Sequence, residues 1–283
     1  MDKGYPSLYP TSQHQEAALY TTTFFSKQEC VDAVLLTCSC ARGKAVPGSC
    51  VDVSVLLSSH TDHATRVQLN GAWSKHSEGS PVLAALAAHG KYAHVDVDMT
   101  DGNFQEGYHG WCSGPDEFEL EIGNLLQYSV PLYENGSRLA ELKNSWLPYY
   151  SSELRKRRLA MAAKYCLNNI EHVAPFVERQ LFFQAFRRLY NAAGEFLQTL
   201  FIARRKYPIA YDKWIREQLV EILGLPDLYP RFVNLLSIKD FESSEIRDKA
   251  DALHDMFDEY CMKEIPSNRR IQATLDSAPD PQR

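Results

Sequence analysis

The 283-residue sequence predicts an α+β fold, with β-strands gathered in its N-terminal half and an α-helical bundle filling its C-terminal half. Three observations predict it. Residues 31–37 (VDAVLLT) and 51–57 (VDVSVLL) are β-branched or Leu-rich runs flanking a loop that holds Gly43, Pro47 and Gly48. The composition shifts near Pro148. Beyond Glu153, apolar residues recur at spacings of three and four almost to the chain's end.

Residues 1–12 carry Gly4, Pro6 and Pro10 and are expected to form a flexible arm. A helix is expected over 13–28, where Ala17, Ala18, Tyr20, Phe24 and Phe25 make an apolar face. After the two strands, residues 81–89 (PVLAALAAH) read as a short helix and 92–99 (YAHVDVDM) as a strand. Residues 100–116 hold four glycines and a proline, so a long loop is expected before a further strand at 118–122 (FELEI). In the second half, helices are expected over roughly 153–174, 177–205, 211–223 and 242–263, with breaks at Pro175, Pro208, Pro226 and Pro230. The stripe Leu181, Phe182, Ala185, Phe186, Leu189, Tyr190, Phe196, Leu197, Leu200 and Phe201 is a core-facing surface rather than a cofactor box. The domains therefore span 13–148 and 149–264, and the polar residues 265–283 form a second flexible end.

Composition narrows the function. A net charge of −6 argues against a protein that grips nucleic acid over a broad surface, because phosphate neutralisation needs clustered Lys and Arg. The run Arg155-Lys156-Arg157-Arg158 falls in a helical stretch and reads as a solvated helix face. No secretory leader and no run of ~20 apolar residues is seen, so no membrane partner is expected. Seven irregularly spaced cysteines do not form a disulfide framework, which points to reduced thiols in the cytoplasm.

Residues 35–43 (LLTCSCARG) and 47–57 (PGSCVDVSVLL) carry the chemistry: a strand ending in small residues, a Gly-containing turn, and a second strand bearing an acid. Small residues at a strand end let backbone N–H groups and a hydroxyl approach a phosphate. An acid on the adjacent strand can hold a divalent cation that bridges phosphates.

This stretch resembles the nucleotidyltransferase superfamily that includes DNA polymerase beta and the antibiotic adenylyltransferases. Members carry Gly-Ser at the end of a first strand, about ten residues, then Asp-x-Asp on the second. Here Ser39 stands at the motif's Ser and Asp52 at its second Asp, with ten residues between Ser39 and position 50. Cys38 stands where the motif has Gly, and Cys50 where it has the first Asp. A thiol is a poor magnesium ligand, because hard cations prefer oxygen. The resemblance implies a mixed N-terminal sheet with flanking helices, and a later strand supplying a third carboxylate. Asp96 and Asp98 are the favoured sources, while Glu119 and Glu121 on the expected strand 118–122 compete with them or serve as general base. The phrases LLQYSVPLYENG, LAELKNSWLPYY and RRKYPIAYDKWIREQL also resemble members in which a helical bundle follows the catalytic domain.

The resemblance implies a metal-dependent enzyme that uses Mg2+ or Mn2+ and transfers a nucleoside monophosphate from ATP or another nucleoside triphosphate to a hydroxyl of a small molecule or protein. Asp52, Asp96 and Asp98 would be catalytic and metal-binding. Ser39, Arg42, Gly43 and Ser49 would bind the nucleotide, with Arg42 equally readable as a surface charge. Tyr207, Lys213 and Trp214 in the bundle are candidate substrate contacts, although Trp214 in an amphipathic helix is more often core, and a homodimer built on the bundle fits the family pattern. The altered positions 38 and 50 also allow a catalytically impaired, nucleotide-binding regulatory protein of the same fold, and a purely structural interaction protein is a third reading. A zinc site from Cys38, Cys40, Cys50, His60 and His63 is set aside because the spacing lacks paired C-x-x-C units. In the loop around His109, Trp111 and Cys112, a rigid turn is the expected role rather than a nucleophilic thiol.

Overall fold

The computed structural model describes residues 8–265; residues 1–7 and 266–283, which hold most of the two expected flexible ends, lie outside the described residues. The chain divides into two compact units. One holds residues 8–104 and Glu121–Leu147, and the other holds Gln105–Leu120 and residues 148–265.

In the first unit, α1 (Ser12–Phe25) starts at Thr11, whose side chain accepts from the His14 N–H. β1 (Val31–Leu36), the short α2 (Cys38–Ala41) and β2 (Val51–Leu57) come next. α3 (His63–Ser77) is capped by Asp62, which accepts from the Thr65 N–H at 2.8 Å. α4 (Pro81–Ala87) combines a Ser80 cap with Pro81 at its first turn, where a missing N–H costs nothing. These two helices form the crossover that a parallel strand pair requires, and they deliver the chain to β3 (Val95–Thr100).

Residues 118–122 are a helix, α5 (Phe118–Ile122), and not the expected strand. Five residues with alternating apolar positions cannot distinguish the two periods. A π-helical turn (Gly123–Gln127) continues α5, and the fourth strand, β4 (Val130–Glu134), comes after it. α6 (Arg138–Trp146) closes the unit.

The sheet is mixed and four-stranded, in the order β3-β2-β1-β4. β1 pairs antiparallel with β2 and β4, while β2 pairs parallel with β3. The side-chain alternation of β2 sorts its residues between two faces of the sheet. Val51, Val53 and Val55 are buried in a core shared with Ala17, Ala18 and Phe25 of α1, Leu69 and Trp73 of α3, and Leu86 of α4. Asp52 and Ser54 point to the opposite face and stay half-buried.

The second unit is built from α7 (Ser152–Glu171), α8 (Val173–Glu178), α9 (Phe182–Arg204), a π-helical turn (Glu217–Ile222), α10 (Leu228–Leu235) and α11 (Glu245–Tyr260), ending in a 3-10 turn at Met262–Glu264. Six residues of the expected stripe, Ala185, Leu189, Phe196, Leu197, Leu200 and Phe201, are fully buried in α9. Each large one contributes roughly 1.5–3 kcal/mol. Among the described residues, no helix is long and apolar enough to cross a membrane.

The basic run on α7 is not the solvated face expected of it. Arg155 turns inward and donates to the carbonyls of Ile202 and Ala203 at 3.0 and 2.7 Å. Arg158 is fully buried. It donates to both carboxylate oxygens of Asp116, at 2.5 and 2.7 Å, and to both of Glu119, at 2.9 and 2.7 Å. The Gln198 amide bridges the same two carboxylates at 2.8 and 2.9 Å, and Tyr150 donates to Glu119 at 2.8 Å. Helix periodicity and charge alone place such a run in water; a guanidinium saturated by two carboxylates is what permits its burial. Burial opposes ionisation of Asp116, but hydrogen bonds from His109 and Arg158 together with the guanidinium charge hold its carboxyl well below the usual carboxylate range.

Glu195 of α9 has the opposite fate. It is fully buried with one hydrogen bond from the Asn169 amide at 2.8 Å, and burial lifts its carboxyl from 4.5 to about 7, outweighing that bond and the charge of Arg188.

Two outcomes are expected. Arg158→Met strands two buried carboxylates and lowers stability in urea unfolding by about 3–5 kcal/mol; a loss under about 1 kcal/mol would contradict a structural role for the network. Glu195 favours the folded state most when protonated, so its contribution is present below pH 4.5 and is lost as pH rises through about 7. Glu195→Gln should therefore flatten the stability profile between about pH 4.5 and 7, by roughly 3 kcal/mol for a rise of that size. Parallel profiles for the two proteins would rule this out.

Candidate cation and nucleotide site

The end of β1 is tied to β2 just before the turn that carries Ser39. Both the N–H and the hydroxyl of Thr37 donate to the Asp52 carbonyl, at 2.9 and 3.3 Å. The chain then turns sharply: Cys38 has φ 54° and Gly43 has φ 65°. For a residue with a Cβ, the left-handed region costs roughly 1–2 kcal/mol. A cysteine therefore stands in a conformation that suits glycine, at the position where the resembled motif has glycine.

The connecting loop is pinned along its length. Lys44 N–H donates to the Ser39 carbonyl at 2.9 Å, and Gly43 N–H to that of Cys40 at 3.0 Å. The Cys40 thiol meets the Cys50 carbonyl at 3.5 Å. Val46 N–H donates to the Ser49 hydroxyl at 3.0 Å, and a ring nitrogen of His14 lies 3.1 Å from the Ser49 carbonyl. Ser39 itself is half-buried in the short α2.

On the open face of the sheet, the parallel register pairs Asp52 with Asp96 and Ser54 with Asp98. Residues paired this way point to the same side. Ligand atoms of Cys50, Asp52 and Asp96 lie within 4.8 Å of one another. The Cys50 thiol donates to Asp52 Oδ2 at 3.3 Å. His94 Nε2 lies 3.1 Å from Asp96 Oδ1, and the Val51 N–H donates to the His94 carbonyl at 2.8 Å. Burial, then the charge of Asp52 and its hydrogen bond, then the charge of Asp96, push the Cys50 thiol up to about 12. Burial and the same Asp52 charge push Cys40 up to about 12 as well.

Of the residues the sequence singles out, Asp52 and Asp96 are brought together. Asp98 shares their face one pair further along β3, beside Ser54, and is exposed, as Asp96 is. Because 118–122 is helical, Glu119 and Glu121 do not share a strand face. Glu119 is consumed by Arg158, and Glu121 is exposed. Arg42 and Ser49 are half-buried at the loop's two ends. In the second unit, Lys213 is exposed, and its carbonyl accepts from the Gln218 amide at 2.9 Å. Tyr207 is buried against Tyr149, at a ring separation of 4.8 Å. Trp214 is 39% exposed with φ 57°, so it is not the core residue that an amphipathic helix suggests.

His94 is the participant that sequence reasoning overlooked. Its signal is faint: a polar residue two places before Asp96, at the mouth of a strand. A groove of about 580 Å3 along α1, lined by Tyr20, Phe24, Lys27 and His76 among others, includes none of these residues.

No family model and no curated protein matches the sequence. Among solved structures, the chain is similar to a nucleotidyltransferase-like protein from Exiguobacterium sibiricum, at 12% identity and a TM-score of 0.43, over 87% of this chain and 74% of that one.

The strained turn carries its own test. Cys38→Gly should raise stability by about 0.5–1 kcal/mol, since relief of the left-handed cost outweighs the extra freedom of the unfolded chain. Thermal unfolding measures it, and a lower midpoint for the glycine variant would mean that the Cys38 side chain contributes more than its backbone costs.

Proposed function

We propose that the first unit is the nucleotide-binding and cation-binding part of a metal-dependent nucleotidyltransferase. The observation that supports this most is the side-by-side placement of Asp52 and Asp96 across the β2–β3 pair, next to a pinned turn that carries Ser39. In this reading the Ser39 hydroxyl and the amides of the turn bind the β- and γ-phosphates of ATP or another nucleoside triphosphate, and Arg42 pairs with a phosphate oxygen. Gly43 and Ser49 shape the loop that backs them.

Asp52 and Asp96 are the carboxylates that would hold a divalent cation, magnesium or manganese by the resemblance. Their donor chemistry fits, as a carboxylate oxygen of each lies within 4.8 Å of the other. When bound, the cation neutralises phosphate charge and lowers the pKa of a coordinated hydroxyl. Asp98 stands one step along the same face, where it can take the acceptor's proton. The acceptor oxygen then forms a bond to the α-phosphorus, the bond from that phosphorus to the β-phosphate bridge oxygen breaks, and pyrophosphate leaves. The acceptor is a hydroxyl of a small molecule or a protein.

A second reading has its own supporting observation. Cys50 occupies the place of an acid, so two carboxylates stand where the resembled motif uses three, which suits a nucleotide-binding regulatory protein without turnover.

Titration calorimetry with nucleoside triphosphates, with and without magnesium or manganese, separates the readings when combined with a pyrophosphate assay. Binding with pyrophosphate release supports the transferase. Binding alone supports the regulator, and the absence of both defeats the two together. Asp52→Asn should weaken cation-dependent nucleotide binding by on the order of tenfold or more, with the thermal midpoint little changed. Undiminished affinity in that variant would remove Asp52 from the site.

A further inference from the structure

We propose that Cys50, Asp52 and Asp96 form a mixed thiolate–carboxylate site that selects a thiophilic or borderline divalent cation (zinc, cobalt or cadmium) over magnesium. This rests on the reading that this end of the sheet is the cation site, and it concerns which cation the site takes. Among the described residues, this is the group of three or more metal-ligating side chains whose donor atoms converge, all within 4.8 Å.

The donor set argues for the choice. Magnesium demands near-octahedral oxygen ligation and sheds water reluctantly, so a sulfur at one of three positions is lost to it. Zinc and cobalt accept sulfur, oxygen and nitrogen together. Three protein ligands with room for water or a phosphate oxygen is also the usual arrangement of a catalytic zinc centre. Binding balances simply: the Cys50 S–H bond breaks, its proton leaves to solvent, a sulfur–metal bond forms, and no oxidation state changes.

The surroundings separate Cys50 from the neighbouring thiols. Cys50 Sγ already faces Asp52 Oδ2 at 3.3 Å, whereas the buried Cys40 thiol is turned to the Cys50 carbonyl. His94 Nε2 lies 3.1 Å from Asp96 Oδ1, outside the cluster, where it can hydrogen-bond a ligating carboxylate. This donor set shares only Cys50 with the set of Cys38, Cys40, Cys50, His60 and His63 set aside from the sequence, and it is invisible to cysteine spacing because its other donors are carboxylates and Asp96 comes from another strand.

The test is cobalt titration of the full chain without nucleotide, followed by competition with zinc and with magnesium. The exposed Cys112 is changed to Ser in a parallel set, so that a surface thiol is accounted for. The expected result is a near-ultraviolet sulfur-to-cobalt charge-transfer band that zinc displaces, and a preference for zinc over magnesium on the order of a hundredfold or more. Cys50→Asp should abolish the band, weaken zinc binding by roughly tenfold or more and improve manganese binding. Cys50→Ser, which nearly preserves size, should abolish the band as well, and the circular dichroism of both variants checks that they fold. A missing band in the wild type, a band that survives both substitutions, or equal affinity for zinc and magnesium overturns the proposal. Magnesium-dependent nucleotide binding without a thiolate band defeats this inference and leaves the transferase reading standing. A Cys50-dependent band in a chain that binds no triphosphate does the reverse.

Discussion

The parallel pairing of β2 with β3 is the constraint on which the site depends. Its register runs from Val51 opposite Val95 to Leu56 opposite Thr100, and side chains alternate with a period of two. A slip of one residue would drive Asp96 and Asp98 toward the apolar core and expose Val95 and Val97. Burial of the valines therefore enforces the adjacency of the acids. The Asp52–Asp96 pair needs no attraction between its members, because hydrophobic burial on the opposite face holds two like charges side by side.

Carboxylates in the two units meet opposite fates through their surroundings. Asp116 and Glu119 lie dry in the helical unit, and their charge is satisfied by Arg158, Gln198 and Tyr150. Such a saturated network fixes geometry and has little capacity left for a ligand. Asp52 and Asp96 keep solvent exposure, and they have a thiol and an imidazole as neighbours. Two like charges held together at the edge of water favour an added cation. Glu195 represents a third case, a buried carboxyl with a single amide donor, and its elevated proton affinity reflects that shortage.

The two cysteines at altered motif positions have unequal consequences. Cys38 preserves the shape of the turn, since its backbone adopts the left-handed conformation natural to glycine at a local cost in strain. Cys50 preserves position while changing chemistry: its sulfur lies among the oxygens, but it is a softer donor that carries charge only after losing a proton. A residue can thus keep its place in a strand while changing the donor chemistry presented there.

The residues alone indicated β1, β2, the region of β3, α4 and the long helices α7, α9 and α11, through β-branched or Leu-rich runs, apolar residues at spacings of three and four, and nearby Gly and Pro. They also singled out Asp52, through its place in the resembled motif, and left Asp96 and Asp98 as equal candidates on one strand face. α5 and β4 were hidden: FELEI is too short to declare its period, and VPLYE gains its strand character only by pairing with β1. The inward turn of Arg155 and Arg158 was equally unreadable, since their partners lie far away in the sequence. Long-range pairing alone could decide that Asp96 rather than Asp98 stands beside Asp52, that Cys50 joins them, and that Glu119 is spent on an arginine. Local sequence sets the face on which a side chain emerges, whereas register and packing set what it meets there.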